Sequence, residues 1–417
     1  MNNAEICYYY SINKRNFPSH MSRPPEFQNK ALILGVRIDN RPLEFVLQRI
    51  DHYLNSDSGH KIYTPNPEIV LKAEEDEDYR DILNRADINI PDGIGLKLGA
   101  SILGEELEER VTGSDLTRTI LEKYNEKGSK VFILLRQDSL SSEDDLKKLF
   151  KERYPSWKIK IDSVEKENCY NCDDVLNNIN AFEPQFLFVA LGAPMQETWI
   201  DKYLKLVPSV KIALGIGGSF DFLTGKIHRA PAMIRDLGFE WLYRLYQEPK
   251  RLSRIKNATI DFLLACHRWK KGMEENYRAN VLGVVKNKAG QYLIQKNSRL
   301  PDHWQFPQGG VDAGEAGDSA VVREVGEELG IDISLLKVIK ELPETHRYEW
   351  PDYAKKLRGL RGQEQRAYLL EFSGTDSDIH IENSHEVEAW RWVDKANLFA
   401  SLHPVRREFV EKLLKHL

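Results

Sequence analysis

The stretch from Trp304 to Ile331 constrains this chain more than any other, because it joins a glycine turn to a helix that gathers acidic side chains. Gly309 and Gly310 permit a tight backbone path that a side chain would obstruct. From about Asp318 the apolar residues recur at helical spacing, and a glycine follows the last turn. Three carboxylates fall on one face of this helix, namely Glu324, Glu327 and Glu328. Clustered carboxylates suit a hard divalent cation, so the sequence predicts a Mg²⁺ or Mn²⁺ site here.

The same stretch carries a family resemblance. Counting from Gly309, the chain has five residues before Glu315, seven more, and then REVGEELGI from Arg323 to Ile331. This spacing resembles a complete Nudix box. The resemblance implies an α/β/α sandwich over residues 276–417 and metal-dependent hydrolysis of a nucleoside diphosphate-X link.

The Nudix resemblance also implies roles for particular side chains. The metal ligands that it implies are Glu324, Glu327, Glu328 and Glu386, with Glu327 and Glu328 also catalytic. Arg278 and Gln308 are candidates for contacting substrate phosphate or base, and a structural role is the alternative for each.

Flanking segments resemble the Nudix branch that acts on RNA 5′ ends and dinucleoside polyphosphates. These segments are WQFPQ at 304–308 and GQEQ at 362–365. A basic insertion between them could grip a polyphosphate or an RNA end, with a charged, solvated loop as the alternative. Its residues are Arg347, Tyr348, Lys355, Lys356, Arg358 and Arg361.

Composition narrows the class of protein. The chain has 417 residues, enough for two or three domains, and its net charge of −5 gives no reason to expect a general nucleic-acid-binding surface. Four cysteines are too few for a disulfide scaffold and indicate a reducing cytoplasm. Cys169 and Cys172 form a CxxC without a second pair, so zinc is not expected. No apolar run approaches the roughly 20 residues that span a bilayer. Residues 1–30 lack a signal-peptide core and are expected to form a flexible tail.

Residues 31–271 alternate between strand and helix patterns. Buried-strand runs occur at 31–36, 61–63, 86–90, 131–135, 186–191 and 210–214. This alternation predicts a Rossmann-like parallel α/β domain, in which ligands bind beyond the carboxyl ends of the strands. Four of the runs end in polar or glycine-rich motifs: TPN at 64–66, PDG at 91–93, GAP at 192–194 and GIGG at 215–218. We therefore expect one site assembled from several loops.

Taken in order, these motifs resemble the WecG/TagA/CpsF glycosyltransferase family over about residues 31–260. Further matching pieces are MQE at 195–197, GGSFD at 217–221, RAP at 229–231, EWLYRL at 240–245 and EPKR at 248–251. Met195 stands where lysine is usual, which leaves one donor contact open. The resemblance implies inverting transfer of an N-acetylhexosamine, typically N-acetylmannosamine, from a UDP-sugar to a lipid-diphosphate-linked sugar. Such transfer serves cell-surface polysaccharide or teichoic acid synthesis.

Inverting transfer needs a base for the acceptor hydroxyl and donors that hold the leaving diphosphate. By the resemblance Asp92 is the base, Thr64 and Asn66 position the sugars, and Gln196 holds the donor. Three arginines are candidates for the diphosphate, with an exposed basic helix as the alternative: Arg244, Arg251 and Arg254. None of these motifs contains a DxD-like metal pair, so no cofactor is expected for this half.

A basic, aromatic segment follows at residues 226–271, with 11 Lys and Arg against 4 Asp and Glu. Such a stretch suits an anionic leaflet, each cation contributing about 1 kcal/mol. Packing on the first domain or on an oligomer partner is the alternative. With a lipid-linked acceptor, the segment predicts a cytoplasmic enzyme held at the inner face of the plasma membrane.

The sequence thus predicts a glycosyltransferase fused to a Nudix hydrolase. Two alternatives stay open. In one, the Nudix half is a nucleotide-sensing module attached to a working transferase. In the other, the main activity is RNA 5′-pyrophosphohydrolysis or dinucleoside polyphosphate hydrolysis.

Overall fold

The computed structural model describes residues 29–108, 111–165, 173–228, 231, 243, 257–298, 302–382, 384 and 386–417. The chain divides into two compact units between residues 270 and 271, and each unit is described by itself. Residues 1–28 of the predicted N-terminal tail, the CxxC pair and most of the basic segment lie outside the described residues.

The first unit opens with an antiparallel hairpin of β1 (Lys30–Ile33) and β2 (Val36–Asp39). Leu34 and Gly35 form its turn with φ of 48° and 79°. Positive φ at both turn positions matches the twist of the flanking strands. The expected single run over 31–36 is therefore wrong, since the chain reverses within it.

A six-stranded sheet forms the centre of the first unit. In chain order its strands are β3 (His60–Tyr63), β4 (Ile88–Asn89), β5 (Lys130–Arg136), β6 (Lys158–Val164), β7 (Phe186–Ala190) and β8 (Ile212–Gly215). Their spatial order is β4-β3-β8-β7-β5-β6, and all neighbours are parallel. The predicted parallel α/β architecture is confirmed.

Helices accompany this sheet, and apolar residues of its strands and of several helices form one core. They are α1 (Leu43–Tyr53), α2 (Pro67–Glu75), α3 (Glu77–Asn84), α4 (Ile94–Ile102), α5 (Gly113–Asn125), α6 (Glu143–Arg153), α7 (Asp173–Phe182), α8 (Met195–Tyr203), α9 (Ser219–Leu223) and α10 (Phe262–Glu275). A π-helical turn, Asn257–Asp261, precedes α10. Phe262 and Cys266 pack on α4 at Gly99, where an added Cβ would lie 2.6 Å from the Phe262 ring.

The second unit is built on a mixed seven-stranded sheet. Its strands are β9 (Tyr277–Lys286), β10 (Tyr292–Asn297), β11 (Trp304–Gln305), β12 (Gln308–Gly310), β13 (Leu336–Glu349), β14 (Gly362–Phe372) and β15 (Val387–Val393). The main path is β11-β10-β9-β14-β13, with β12 paired to β9 and β15 to β10. Only the β9–β14 pairing among these is parallel.

Two separate apolar cores lie in this unit. One includes Val321 and Val325 of α11 (Gly317–Leu329), and the other includes Leu398 of α13 (Lys395–Ser401) and Phe409 of α14 (Arg407–Leu414). Helices thus cover the sheet from two sides, and the predicted α/β/α sandwich is confirmed. The remaining helix is α12 (Asp352–Arg358).

The basic insertion forms the end of strand β13 and a helix rather than a loop, and several of its cations are exposed and paired with acids. Arg347 belongs to β13 and forms an ion pair with Glu364. Lys355 of α12 lies 2.7 Å from Glu349, which also accepts from Arg361. Acidic neighbours therefore already balance much of the positive charge expected to grip a polyphosphate.

Candidate active sites

Four loops meet at one edge of the parallel sheet, because the strands that precede them are neighbours. The backbone N–H of Asp92 donates to the carbonyl of Pro65 at 2.8 Å, joining the loops after β4 and β3. Thr64 Oγ1 donates to the carbonyl of Gly215 at 3.4 Å, joining the loops after β3 and β8. Lys72 Nζ donates to the carbonyl of Ala193 at 3.2 Å, which brings in the loop after β7.

Asp92 and Thr64 both contact the start of α5. The N–H of Gly113 donates to Asp92 Oδ2 at 3.4 Å, and the positive end of a helix dipole stabilises negative charge there. A Cβ on Gly113 would lie 2.9 Å from Thr64 Oγ1, so glycine leaves room for that side chain. The structure thus places the predicted base and a predicted sugar-positioning residue around one glycine.

Asn66 caps helix α2. Its Oδ1 accepts from the N–H of Ile69 at 2.9 Å, and Pro67 occupies the first helical position. The cap accounts for the amide oxygen of Asn66. The predicted contact with a sugar stays a prediction, for which the amide nitrogen is the end of Asn66 that the cap does not use.

Gln196 lies inside the protein, with 3% of its surface exposed. Its Oε1 accepts from the N–H of Gly217 at 3.0 Å, and its Nε2 donates to Glu197 Oε1 at 2.7 Å. The structure thus engages both ends of this amide within the fold, where the sequence predicted a contact with the donor. No role was assigned to Glu197 from the sequence, although its position next to Gln196 indicated that it could lie at the site. Burial raises the pKa of the Glu197 carboxyl.

Arg244, Arg251 and Arg254 lie outside the described residues. Another cation does stand near the loops: a Cβ on Gly192 would lie 3.9 Å from Arg136 Nη1. Within the described ranges, no helix combines the length and apolarity that crossing a membrane requires.

In the second unit, Arg323 holds the acidic cluster together. It binds Glu315 through Nε at 2.9 Å and Nη2 at 2.8 Å. Its Nη1 donates to Glu324 at 2.9 Å and to Glu327 at 3.3 Å. This bidentate fork offsets the repulsion among carboxylates on one helix face.

Strand β12 passes directly over these acids. A Cβ on Gly309 would lie 1.8 Å from Glu324 Oε2, so only glycine lets the backbone approach the carboxylate. A Cβ on Gly310 would lie 2.5 Å from Arg278 Nη2, which places that guanidinium beside the same strand. Burial raises the pKa of Glu324, and the Arg323 hydrogen bond opposes the rise.

Glu328 is the most buried of the three helix acids, with 8% exposed. Its Oε2 accepts from Gln295 Nε2 at 2.7 Å and from the N–H of Gln308 at 3.0 Å. Burial raises its pKa to about 8, and the charges of Glu386 and Glu324 contribute. The exposed Glu386 thus lies close enough to act on Glu328.

This oxygen-rich donor set fits Mg²⁺ or Mn²⁺. Gln295 Oε1 is buried without a hydrogen-bond partner among the described residues, which adds an acceptor beside Glu328. In the part of the chain that the structure describes, no three His, Cys, Asp or Glu side chains converge as a ready metal group.

Gln308 belongs to a buried amide cluster that the sequence did not reveal. Gln365 Nε2 donates to Gln308 Oε1 at 2.6 Å and to Asn280 Oδ1 at 2.8 Å. Arg406 Nη1 donates to Gln365 Oε1 at 3.4 Å. The side chain of Gln308 therefore braces strands β12, β9 and β14, which supports its structural alternative.

Comparisons with known proteins find two family profiles that meet at residue 276. The profile described as Glycosyl transferase WecG/TagA/CpsF family matches residues 31–276. The profile of the NUDIX domain matches residues 276–413. Both family resemblances inferred from the sequence are confirmed.

Individual relatives match about half of the chain or less. An N-acetylglucosaminyldiphosphoundecaprenol N-acetyl-beta-D-mannosaminyltransferase of Bacillus spizizenii is 34% identical over 218 residues, which is 52% of this chain and 83% of the relative. The enzyme of that name from Staphylococcus aureus is 30% identical over 235 residues, 55% of this chain and 90% of the relative. A solved structure of a C. elegans Ap4A hydrolase binary complex is 25% identical, covers 33% of this chain and 94% of its own, and has a TM-score of 0.27.

Proposed function

The chain belongs to the WecG/TagA/CpsF glycosyltransferase family and carries a NUDIX domain, and we propose that it is a bifunctional enzyme. Its first activity transfers N-acetylmannosamine from a UDP-sugar to an N-acetylglucosamine linked through diphosphate to a lipid. The observation that supports this most directly is the meeting of Asp92, Thr64 and the loop at 215–218 at one sheet edge.

In this transfer Asp92 takes the proton of the acceptor hydroxyl. The acceptor oxygen attacks the anomeric carbon as the bond to UDP breaks on the opposite face, which inverts the configuration. Thr64 and the Asn66 amide orient the sugars. Arg244, Arg251 and Arg254 balance the charge of the departing diphosphate.

The acceptor is a lipid, so the enzyme works at the inner face of the plasma membrane. Support comes from the composition of residues 226–271, whose excess of Lys and Arg would be drawn to anionic headgroups.

The second activity hydrolyses a nucleoside diphosphate-X link. Glu324, Glu327, Glu328 and Glu386 would hold Mg²⁺ or Mn²⁺. When bound by these residues, such an ion would supply Lewis acidity towards a phosphate oxygen and would lower the pKa of a water molecule. Gln295 and the Gln308 N–H fix the Glu328 carboxylate on its buried side, and Arg323 orients Glu324.

Two assays on the purified chain test this proposal. The first supplies UDP-N-acetylmannosamine and an N-acetylglucosaminyl-diphospho-lipid, and product formation is expected. The second screens UDP-sugars, dinucleoside polyphosphates and 5′-triphosphate RNA with Mg²⁺, using Glu327→Gln as control. Hydrolysis of UDP-sugars would link both activities to one pathway, whereas hydrolysis of RNA or dinucleoside polyphosphates without sugar transfer would favour the alternative.

A further inference from the structure

A buried hydrogen-bond chain connects helix α3 to the glycine loop at 215–218. Tyr79 Oη donates to Glu197 Oε2 at 3.0 Å, and Glu197 Oε1 accepts from Gln196 at 2.7 Å. Gln196 Oε1 then accepts from the N–H of Gly217 at 3.0 Å. Tyr79 and Gln196 are each 3% exposed and Glu197 is 1% exposed, so the three side chains are buried, and the chain ends at the partly buried Gly217.

Glu197 and the Gly217 N–H together fix which way the Gln196 amide faces. A side-chain amide has a donor end and an acceptor end, whereas a carboxylate only accepts. Gln196 must therefore turn Nε2 to Glu197, which leaves Oε1 for Gly217. The reversed amide would set its NH₂ against the Gly217 N–H, donor against donor. The Gln196 amide has little room to move, since a Cβ on Gly215 would lie 3.0 Å from Gln196 Nε2.

We infer that Glu197 is a positioning residue for sugar transfer, acting through Gln196 on the glycine loop. The loop it fixes is part of the site, because Thr64 bonds to the carbonyl of Gly215. Kinetic consequences of this inference rest on the proposed transferase function. Its structural part, the placement of the loop by Glu197, does not.

Two substitutions of Glu197 distinguish the loss of its hydrogen bond to Gln196 from a change in side-chain volume. Glu197→Gln keeps a carbonyl that accepts from Gln196, and its NH₂ can donate to Tyr79 Oη. Glu197→Leu removes the acceptor. We expect exchange of the Gly217 amide, read by hydrogen-exchange mass spectrometry on peptides spanning 211–220, to be at least about tenfold faster in Glu197→Leu, the loss expected for a broken buried hydrogen bond. Exchange in Glu197→Gln stays near wild type.

Transfer kinetics follow the same pattern. kcat/KM falls at least about tenfold in Glu197→Leu and recovers in Glu197→Gln. Asp201→Asn is the matched control on α8, because it breaks ion pairs with Lys61 and Arg85 away from the loop and should leave transfer unchanged. If Glu197→Leu does not fold, Gln196→Met removes the amide that links Glu197 to Gly217 with little change of volume and should give the same loss.

Unchanged loop exchange in both Glu197→Leu and Gln196→Met would overturn the inference. So would a Glu197→Gln chain with wild-type loop exchange and the low activity of Glu197→Leu. If the wild-type chain transfers no sugar, the proposed function fails, and loop exchange still decides whether Glu197 places the loop.

Discussion

Single side chains carry the chemistry assigned to the first unit. Asp92, the proposed base, is the residue whose role a substitution tests most directly. Its carboxylate lies against the Gly113 N–H at the start of α5. We expect Asp92→Asn to lower the transfer rate by about 10²- to 10⁴-fold, the range for loss of a general base. The amide keeps the shape and the hydrogen bond to Gly113, so thermal unfolding should not change. Near-normal turnover would remove Asp92 as the base.

A second residue, His303, makes the stability of the second unit depend on pH. It is 1% exposed, and burial lowers its pKa to about 3. In the unfolded chain a histidine titrates near 6.5, so below that pH the unfolded state binds a proton that the folded state does not. Stability is therefore fully present above about pH 6.5 and declines as pH falls towards 3.

From pH 7 to pH 5 this linkage costs roughly 2 kcal/mol. The measurement is urea unfolding of the full chain at both pH values, followed by hydrogen exchange of peptides from residues 277–310. In His303→Gln the loss on acidification should be smaller by about that amount. Equal acid sensitivity of the two proteins would show that His303 is not the cause.

At the scale of elements, the N-terminus of α2 allows two roles of Asn66 to be tested separately. One is capping the helix, and the other is the proposed contact with a sugar. Asn66→Asp keeps an oxygen for the Ile69 N–H but loses the amide nitrogen, so we expect normal stability and reduced transfer. Asn66→Ala loses both and should unfold about 1 kcal/mol more easily. Thermal unfolding and transfer assays on both variants provide the check. Full activity in Asn66→Asp would leave Asn66 as a helix cap alone.

The crossing of β12 over α11 gives another prediction. In Gly309→Ala the new Cβ would collide with the Glu324 carboxylate, 1.8 Å away, and push it from its place beside Arg323. We expect hydrolysis to fall by at least about tenfold, comparable to losing one positioned charge-assisted bond. Sugar transfer by the same sample is the internal control. Unaltered hydrolysis would mean that Glu324 does not need this position.

Local signals predicted the elements that depend on local chemistry. Helix α11 was expected from about Asp318 to Gly330, and it runs from Gly317 to Leu329 with Gly330 in the left-handed region that glycine favours. Strand β6 was missed because its KIKIDSV sequence is only half-buried at the sheet edge. The strand expected over 86–90 is only Ile88–Asn89, since the chain leaves the sheet early.

The sequence allowed us to predict which loops form the site in the first unit. It did not allow us to predict the hydrogen bonds among buried side chains. Motifs at strand ends implied that the loops would meet, because parallel strands share a carboxyl edge. The hydrogen bonds that the Gln365 side chain makes reach partners that are 57 and 85 positions away in the sequence. No spacing rule reveals such pairs. The engagement of Gln196 by Glu197 and Gly217 likewise required the folded backbone.

At the scale of the whole molecule, two enzyme families are joined in one chain with their profiles meeting at residue 276. One hypothesis is that the hydrolase clears a nucleotide product or a competing diphosphate near the transferase. The fusion alone motivates it. Finding that the NUDIX domain hydrolyses neither compound would end this hypothesis.

The central claim is that two independent sites perform two reactions, one of which needs a divalent metal. The most direct measurement follows sugar transfer and diphosphate hydrolysis in the same sample before and after EDTA, with readdition of Mg²⁺. We predict that EDTA abolishes hydrolysis, that Mg²⁺ restores it, and that transfer continues throughout. Simultaneous loss of both activities on chelation would contradict the division of the chain into two separate sites.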